Sequence, residues 1–153
     1  MKRILAAAVV MGGLAVAVSP ARANCSSPDV VKATQVRQLQ TQLMVAALKC
    51  SHMPEHMASY NSFVRAFGPQ ISDSASVLMA HFKRTSSQPQ KSFDKFITQL
   101  ANDASTFSIN TPDFCEGVSA TFASIQGMKG NELPNFAATT INGHTALPAR
   151  CGN

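Results

Sequence analysis

The chain has 153 residues, 45% of them apolar, and a formal charge of +5. Three of its 13 bases, Lys2, Arg3 and Arg22, fall in a stretch with the features of a secretory signal; without them 10 bases face 8 acids and the charge is only +2. The densest basic cluster left is Lys83-Arg84, too short a stripe for a nucleic-acid surface, so that partner class is excluded.

The N-terminal signal is read from Lys2-Arg3, an apolar run from Ile4 to Val18, the helix-breaking Ser19-Pro20, and Ala21-Arg22-Ala23, which puts small residues where a signal peptidase reads. Residues 1–23 are expected to be removed, leaving a mature chain from Asn24. The run is about 15 residues, short of the roughly 20 a permanent membrane helix needs, and no later stretch approaches that length. Lipidation at Cys25 is not expected, because Asn24 precedes it and Arg22 occupies the aliphatic position. The expected location is therefore outside the cytoplasm, in a secretory compartment. Residues 24–153 have the size of a single domain. Four cysteines, Cys25, Cys50, Cys115 and Cys151, enter an oxidising compartment, where an even number points to disulfides. None are spaced as CxxC, which leaves thioredoxin-like and c-type haem chemistry without a motif.

Ser27-Pro28-Asp29 reads as an N-cap, a first-turn proline and an acid at the positive end of the helix dipole. The helix it opens is predicted over about 28–50, with a stripe of Val36, Leu39, Leu43, Ala46 and Cys50; Lys32, Gln35, Gln38, Gln42 and Lys49 are expected to face outward. A second helix is predicted over about 54–84. Its stripe of Met57, Tyr60, Val64, Phe67, Ile71, Ala75, Leu78 and Phe82 passes Gly68-Pro69 without losing phase. That favours one helix kinked where Pro69 cannot donate to the Arg65 carbonyl, with two separate helices as the alternative. A polar linker precedes a third helix, about 90–108, with Phe93, Phe96, Leu100, Ala104 and Phe107 on one face. Thr111-Pro112-Asp113 announces a fourth, about 112–126, with Cys115, Val118, Phe122 and Ile125, ended by Gly127. Residues 127–153 show no period and are expected to form an irregular strap.

Four amphipathic helices with short connections imply an all-α antiparallel four-helix bundle. Its up-and-down course puts Cys50 and Cys115 at one end, both on apolar stripes. Cys25 cannot reach Cys50, since 25 helical residues span about 37 Å while bridged Cα atoms lie within about 7 Å. The expected pairs are Cys50 with Cys115 and Cys25 with Cys151.

The stretches "LMVAALKC", "YNSFV" and "LANDAS" resemble segments of small secreted proteins of alphaproteobacteria that carry no assigned function. The likeness reaches residues 36–115 at most. It implies a periplasmic setting and nothing about activity.

No GxSxG, HExxH, P-loop or GxGxxG occurs, and the acids and histidines form no spacing that a known mechanism requires. Asn102 and Asp103 form a polar couple whose ordinary role is local hydrogen bonding. The one constellation with chemical interest is "SHMPEHM" over 51–57. Were Ser51 the helix cap, His52 and His56 would lie one turn apart, as would Met53 and Met57, and imidazole with thioether suits Cu(I) or silver. Were Met53 the cap, His52 would fall outside the helix. Helix-start chemistry accounts for Ser51, Pro54 and Glu55 as well as the break after Cys50, whereas metal binding accounts only for the four soft side chains, so the stretch is read chiefly as a helix start, with Met57 buried and His52, Met53 and His56 near the surface. The leading functional reading is a non-catalytic module that binds another protein or an envelope component, without a cofactor. A copper- or silver-binding protein using His52, Met53, His56 and Met57 is the alternative. A small hydrolase is the second alternative, since triads are recognised by geometry and escape motif searches.

Overall fold

The computed structural model describes residues 26–141. The expected signal segment, Cys25, Cys151 and their pairing lie outside the described residues. Within that span the regular elements are helical: α1 (Pro28–Lys49), α2 (Glu55–Ala66), α3 (Gly68–Thr85), α4 (Pro89–Asn110), α5 (Phe114–Ile125), a 3-10 turn (Gly130–Glu132) and α6 (Leu133–Thr140).

The helix α1 begins as its sequence dictates, with the Ser27 hydroxyl accepting from the Val30 N–H at 3.4 Å and Asp29 in the first turn. It is not one stave of a four-helix bundle, however. Each of the other five helices packs against it, and residues on nearly all its sides are buried. Gln38, expected outside, is among them. Threonines make this enclosure possible. Thr34 and Thr41 are buried, and their hydroxyls donate to the Val30 and Arg37 carbonyls at 2.8 Å each, so their burial leaves no donor unsatisfied. A helix whose polar residues bond to its own backbone can serve as an axle.

The second expected helix is interrupted at a single residue. Phe67 adopts φ −112°, ψ 16°, and α3 starts anew with Pro69 in its first turn, where the missing N–H costs nothing. The Phe67 N–H still donates to the Phe63 carbonyl at 2.9 Å and the Ile71 N–H to the Phe67 carbonyl at 3.0 Å, so the axis bends and the chain does not reverse. Retained bonding on both sides of the break is why the apolar phase survives it. The buried set nonetheless differs from the expected stripe: His56, Phe63, Phe67, Ser74 and Leu78 are inside, while Met57 is 42% exposed.

Two cores share α1. Toward its N-terminus, Val30 and Ala33 meet Leu78 of α3 and Phe96 and Leu100 of α4. Toward its C-terminus, Leu39, Leu43 and Ala46 meet Phe63, Phe67, Val118, Phe122 and α6. The disulfide Cys50–Cys115 closes this second core with the Cα atoms 5.8 Å apart. The strap expected from residue 127 holds α6 instead. Leu133, Ala137 and Ile141 are buried at steps of four, and Pro134 sits in the first turn. The Glu132 carboxylate accepts from the Lys129 N–H at 2.7 Å just before it.

Candidate functional site

The stretch 51–57 folds as a turn followed by a helix. The Met53 N–H donates to the Cys50 carbonyl at 2.8 Å, and the His56 N–H to the Met53 carbonyl at 3.0 Å, so α2 begins at Glu55 behind Pro54. His52 therefore stands outside the helix, exposed, and does not share a face with His56. The four soft side chains part company. His52 and Met57 face solvent, whereas Met53 is partly buried and His56 is 1% exposed. Both placements at 56 and 57 reverse the expectation. The reason is the direction α2 leaves the turn: with α5 tied to Cys50 through Cys115, the face carrying His56 is pressed against α5, and Met57, about 100° further round the helix, is left outside.

His56 and Met53 converge on one residue that sequence reading passed over. The Ser119 hydroxyl lies 2.6 Å from His56 Nε2, 3.7 Å from Met53 Sδ and 3.2 Å from the Cys115 carbonyl. The imidazole also packs on Phe122, ring centres 5.4 Å apart. Only the pairing of α2 with α5 brings Ser119 within reach of residue 56, so no local spacing announces it. Two tautomers are available to His56. If Nδ1 carries the proton, Ser119 donates to Nε2, but Nδ1–H is then a buried donor without an acceptor, a loss of about 1–3 kcal/mol. If Nε2 carries it, His56 donates to Ser119 and Ser119 donates onward to the Cys115 carbonyl. The second arrangement satisfies more groups. In it the imidazole has no free nitrogen facing the hydroxyl, and no hydrogen-bond partner holds Nδ1 from behind, so the pair is built as a packing contact more than as a nucleophile with its base. Among the described residues, no group of three or more His, Cys, Asp or Glu side chains is placed to hold a metal ion.

On the other side of Phe122 lies a groove. It has a volume of about 540 Å³ and runs between α2 and the end of α5. Its floor is Phe63, Phe67, Phe122 and Ile125, and its α2 wall is Ala58, Ser59, Ser62 and Ala66. The floor side chains are themselves core residues, each less than a tenth exposed, so the open surface of the groove is Ala58, Ser62 and Ala66 on one side and Gln126 and Gly127 on the other. The opposite wall is made by the turn after α5, where Gly127 takes φ 77°, a left-handed conformation that suits glycine, and sends Met128 along the groove's edge. No protein-family model matches the chain, and no curated protein and no solved structure is significantly similar to it.

A second cavity of about 450 Å³, between α1, α3 and Pro134, has charged residues in its lining, with Asp29, Lys32, Gln70 and Asp73 around it. Gln70 crosses from α3 to lie against Gly130, where a methyl group would overlap its side-chain amide. Arg37 of α1 is half-buried, with Nη1 donating to Gln40 at 2.6 Å. Burial pushes the guanidinium pKa down and the neighbouring Tyr60 partly offsets this. No helix among the described residues is long and apolar enough to cross a membrane.

Proposed function

We propose that this protein is a non-catalytic binding module of the bacterial periplasm or exterior, released by removal of residues 1–23 and held by Cys25–Cys151 in addition to Cys50–Cys115. Its ligand, another protein or an envelope component, occupies the groove between α2 and α5. The observation that carries this reading is the groove itself: a volume of about 540 Å³ kept open by Ala58, Ser62 and Ala66, with a largely apolar lining that holds no charged residue. The compartment is supported by the N-terminal sequence pattern, and the Cys50–Cys115 disulfide fits an oxidising one.

The test is stabilisation by mass action. The thermal midpoint of the oxidised protein is measured with envelope lipid extract and, separately, with soluble envelope proteins, for the native chain and for Ala66→Phe, which fills the groove. One fraction should raise the midpoint of the native protein and leave Ala66→Phe unmoved. No shift with either fraction, or equal shifts in both chains, would remove the groove from consideration.

Soft-metal binding is supported in a narrower form by the approach of Met53 Sδ and His56 Nε2 to the same hydroxyl. Two donors suit only Cu(I) or silver. A Cu(I) competition titration of native protein and Met53→Leu decides it: stoichiometric binding lost in the variant supports a Met53–His56 site, and equal affinity in both excludes it.

A further inference from the structure

We infer that the groove takes a single-chain anionic amphiphile, its acyl chain along the groove between Ala58, Ala66 and Met128 and its head group at Arg65. This rests on the groove being the binding site. Size argues first. A protein partner presents about 20–30 residues a side over roughly 800 Å², whereas this groove is lined by eleven residues and its volume lies in the range of small-molecule sites. Charge argues second. The lining holds no ionisable side chain, so the body of the ligand is neutral and apolar; a buried charge here would find no partner.

The rim is asymmetric. Arg65, exposed on α2, donates from Nη2 to the Ser62 hydroxyl at 3.1 Å, and Ser62 is itself a lining residue. This holds a guanidinium at the groove's edge with donors left for an anion. Lys129 follows the lining Met128, and Glu132 curls back onto its backbone N–H, so that corner carries both signs. Glu55, the acid of α2, stands ten residues from Arg65, about 15 Å along the helix. An anionic head is therefore favoured at the Arg65 end only, and the chain runs from there toward Ala58.

The experiment is displacement of dansyl-undecanoate from the oxidised full-length secreted protein by decanoate and by decan-1-ol, for the native chain, Arg65→Gln, Ala66→Phe and Ser62→Leu. Saturable one-to-one binding is expected in the native chain, with decanoate the better competitor. Arg65→Gln should weaken decanoate roughly threefold, the scale of an exposed charge pair, and leave decanol unchanged. Ala66→Phe and Ser62→Leu should each weaken both competitors at least about tenfold; both positions are exposed, and circular dichroism verifies that either variant is folded. Binding that survives both groove-filling variants overturns the site. Arg65→Gln acting equally on acid and alcohol, or on neither, overturns the anionic head. Absence of saturable binding in the native chain overturns the amphiphile; the groove then stands if soluble envelope proteins stabilise the native chain and not Ala66→Phe, and both readings fall together if they do not.

Discussion

Truncating His56 to alanine separates the two ways of reading 51–57. A histidine at a helix start on the surface tolerates alanine within about 0.5 kcal/mol. The buried imidazole seen here does not. Its removal opens a cavity over Phe122 and loses the bond to Ser119. Large-to-small changes in cores cost about 2–5 kcal/mol, and a neutral hydrogen bond contributes about 1. Ser119 retains the Cys115 carbonyl at 3.2 Å, so no donor is orphaned and the lower part of that range applies, about 2–3 kcal/mol. At about 4 °C per kcal/mol for a domain near this size, the thermal midpoint should fall by roughly 10 °C. Urea unfolding of the oxidised protein should show a lower midpoint with an unchanged slope. His56→Leu, which keeps most of the volume, should cost less than about 1.5 kcal/mol. His52→Ala is the control and should match the native protein. If His56→Ala also unfolds with the native midpoint, residue 56 is not in the core and α2 does not pack on α5 as described.

Replacing Cys50 and Cys115 by alanine together should cost about 4 kcal/mol on the chain-entropy account, given their separation of 65 residues, measured as the loss of urea midpoint times slope. Gly130→Ala should destabilise by about 1 kcal/mol by pushing the Gln70 amide aside, and Gln70→Ala in the same chain should recover most of that loss, which a double-mutant cycle in urea would quantify. Pro69→Ala should be neutral or slightly destabilising, below about 1 kcal/mol, because Pro69 sits in a first turn where its ring restricts only the unfolded chain; a gain in thermal midpoint would restore the continuous-helix reading. His81 has its pKa lowered from the ordinary 6.5 by burial and then by Arg84, so the unfolded chain takes up this proton more readily. This contribution to stability is intact above about pH 6.5 and is lost as pH falls through it, so His81→Gln should show a smaller drop in urea midpoint between pH 7.5 and pH 5.5 than the native chain.

Helical class, and most helix starts, follow from local rules. Ser27 caps the Val30 N–H and Pro28 has no N–H to satisfy, so α1 starts without help from elsewhere, and the phase of Phe96, Leu100 and Ala104 fixes which side of α4 turns inward. Even the Cys50–Cys115 contact is implied once two stripes and a chain course without reversal are granted. The α6 signal was also present, in Pro134 and the spacing of Leu133, Ala137 and Ile141, but one buried residue per turn over eight residues is short enough to pass for a strap.

What local pattern could not reveal is how many neighbours each helix would have. Period analysis assumes one wet face, and α1 has almost none: Thr34 and Thr41 read as polar, yet each hides its hydroxyl against its own backbone and goes inside. The same limit misplaced residues 56 and 57. Both are compatible with a first helical turn, and which of them is buried depends on the angle at which α2 leaves the turn after Cys50, an angle set by where α5 is anchored. Ser119, the groove and the position of Arg65 on its rim arise only when α2 lies beside α5, because they are built from side chains more than fifty residues apart in the chain. Burial is a property of neighbours, and those neighbours come from the packing of whole helices.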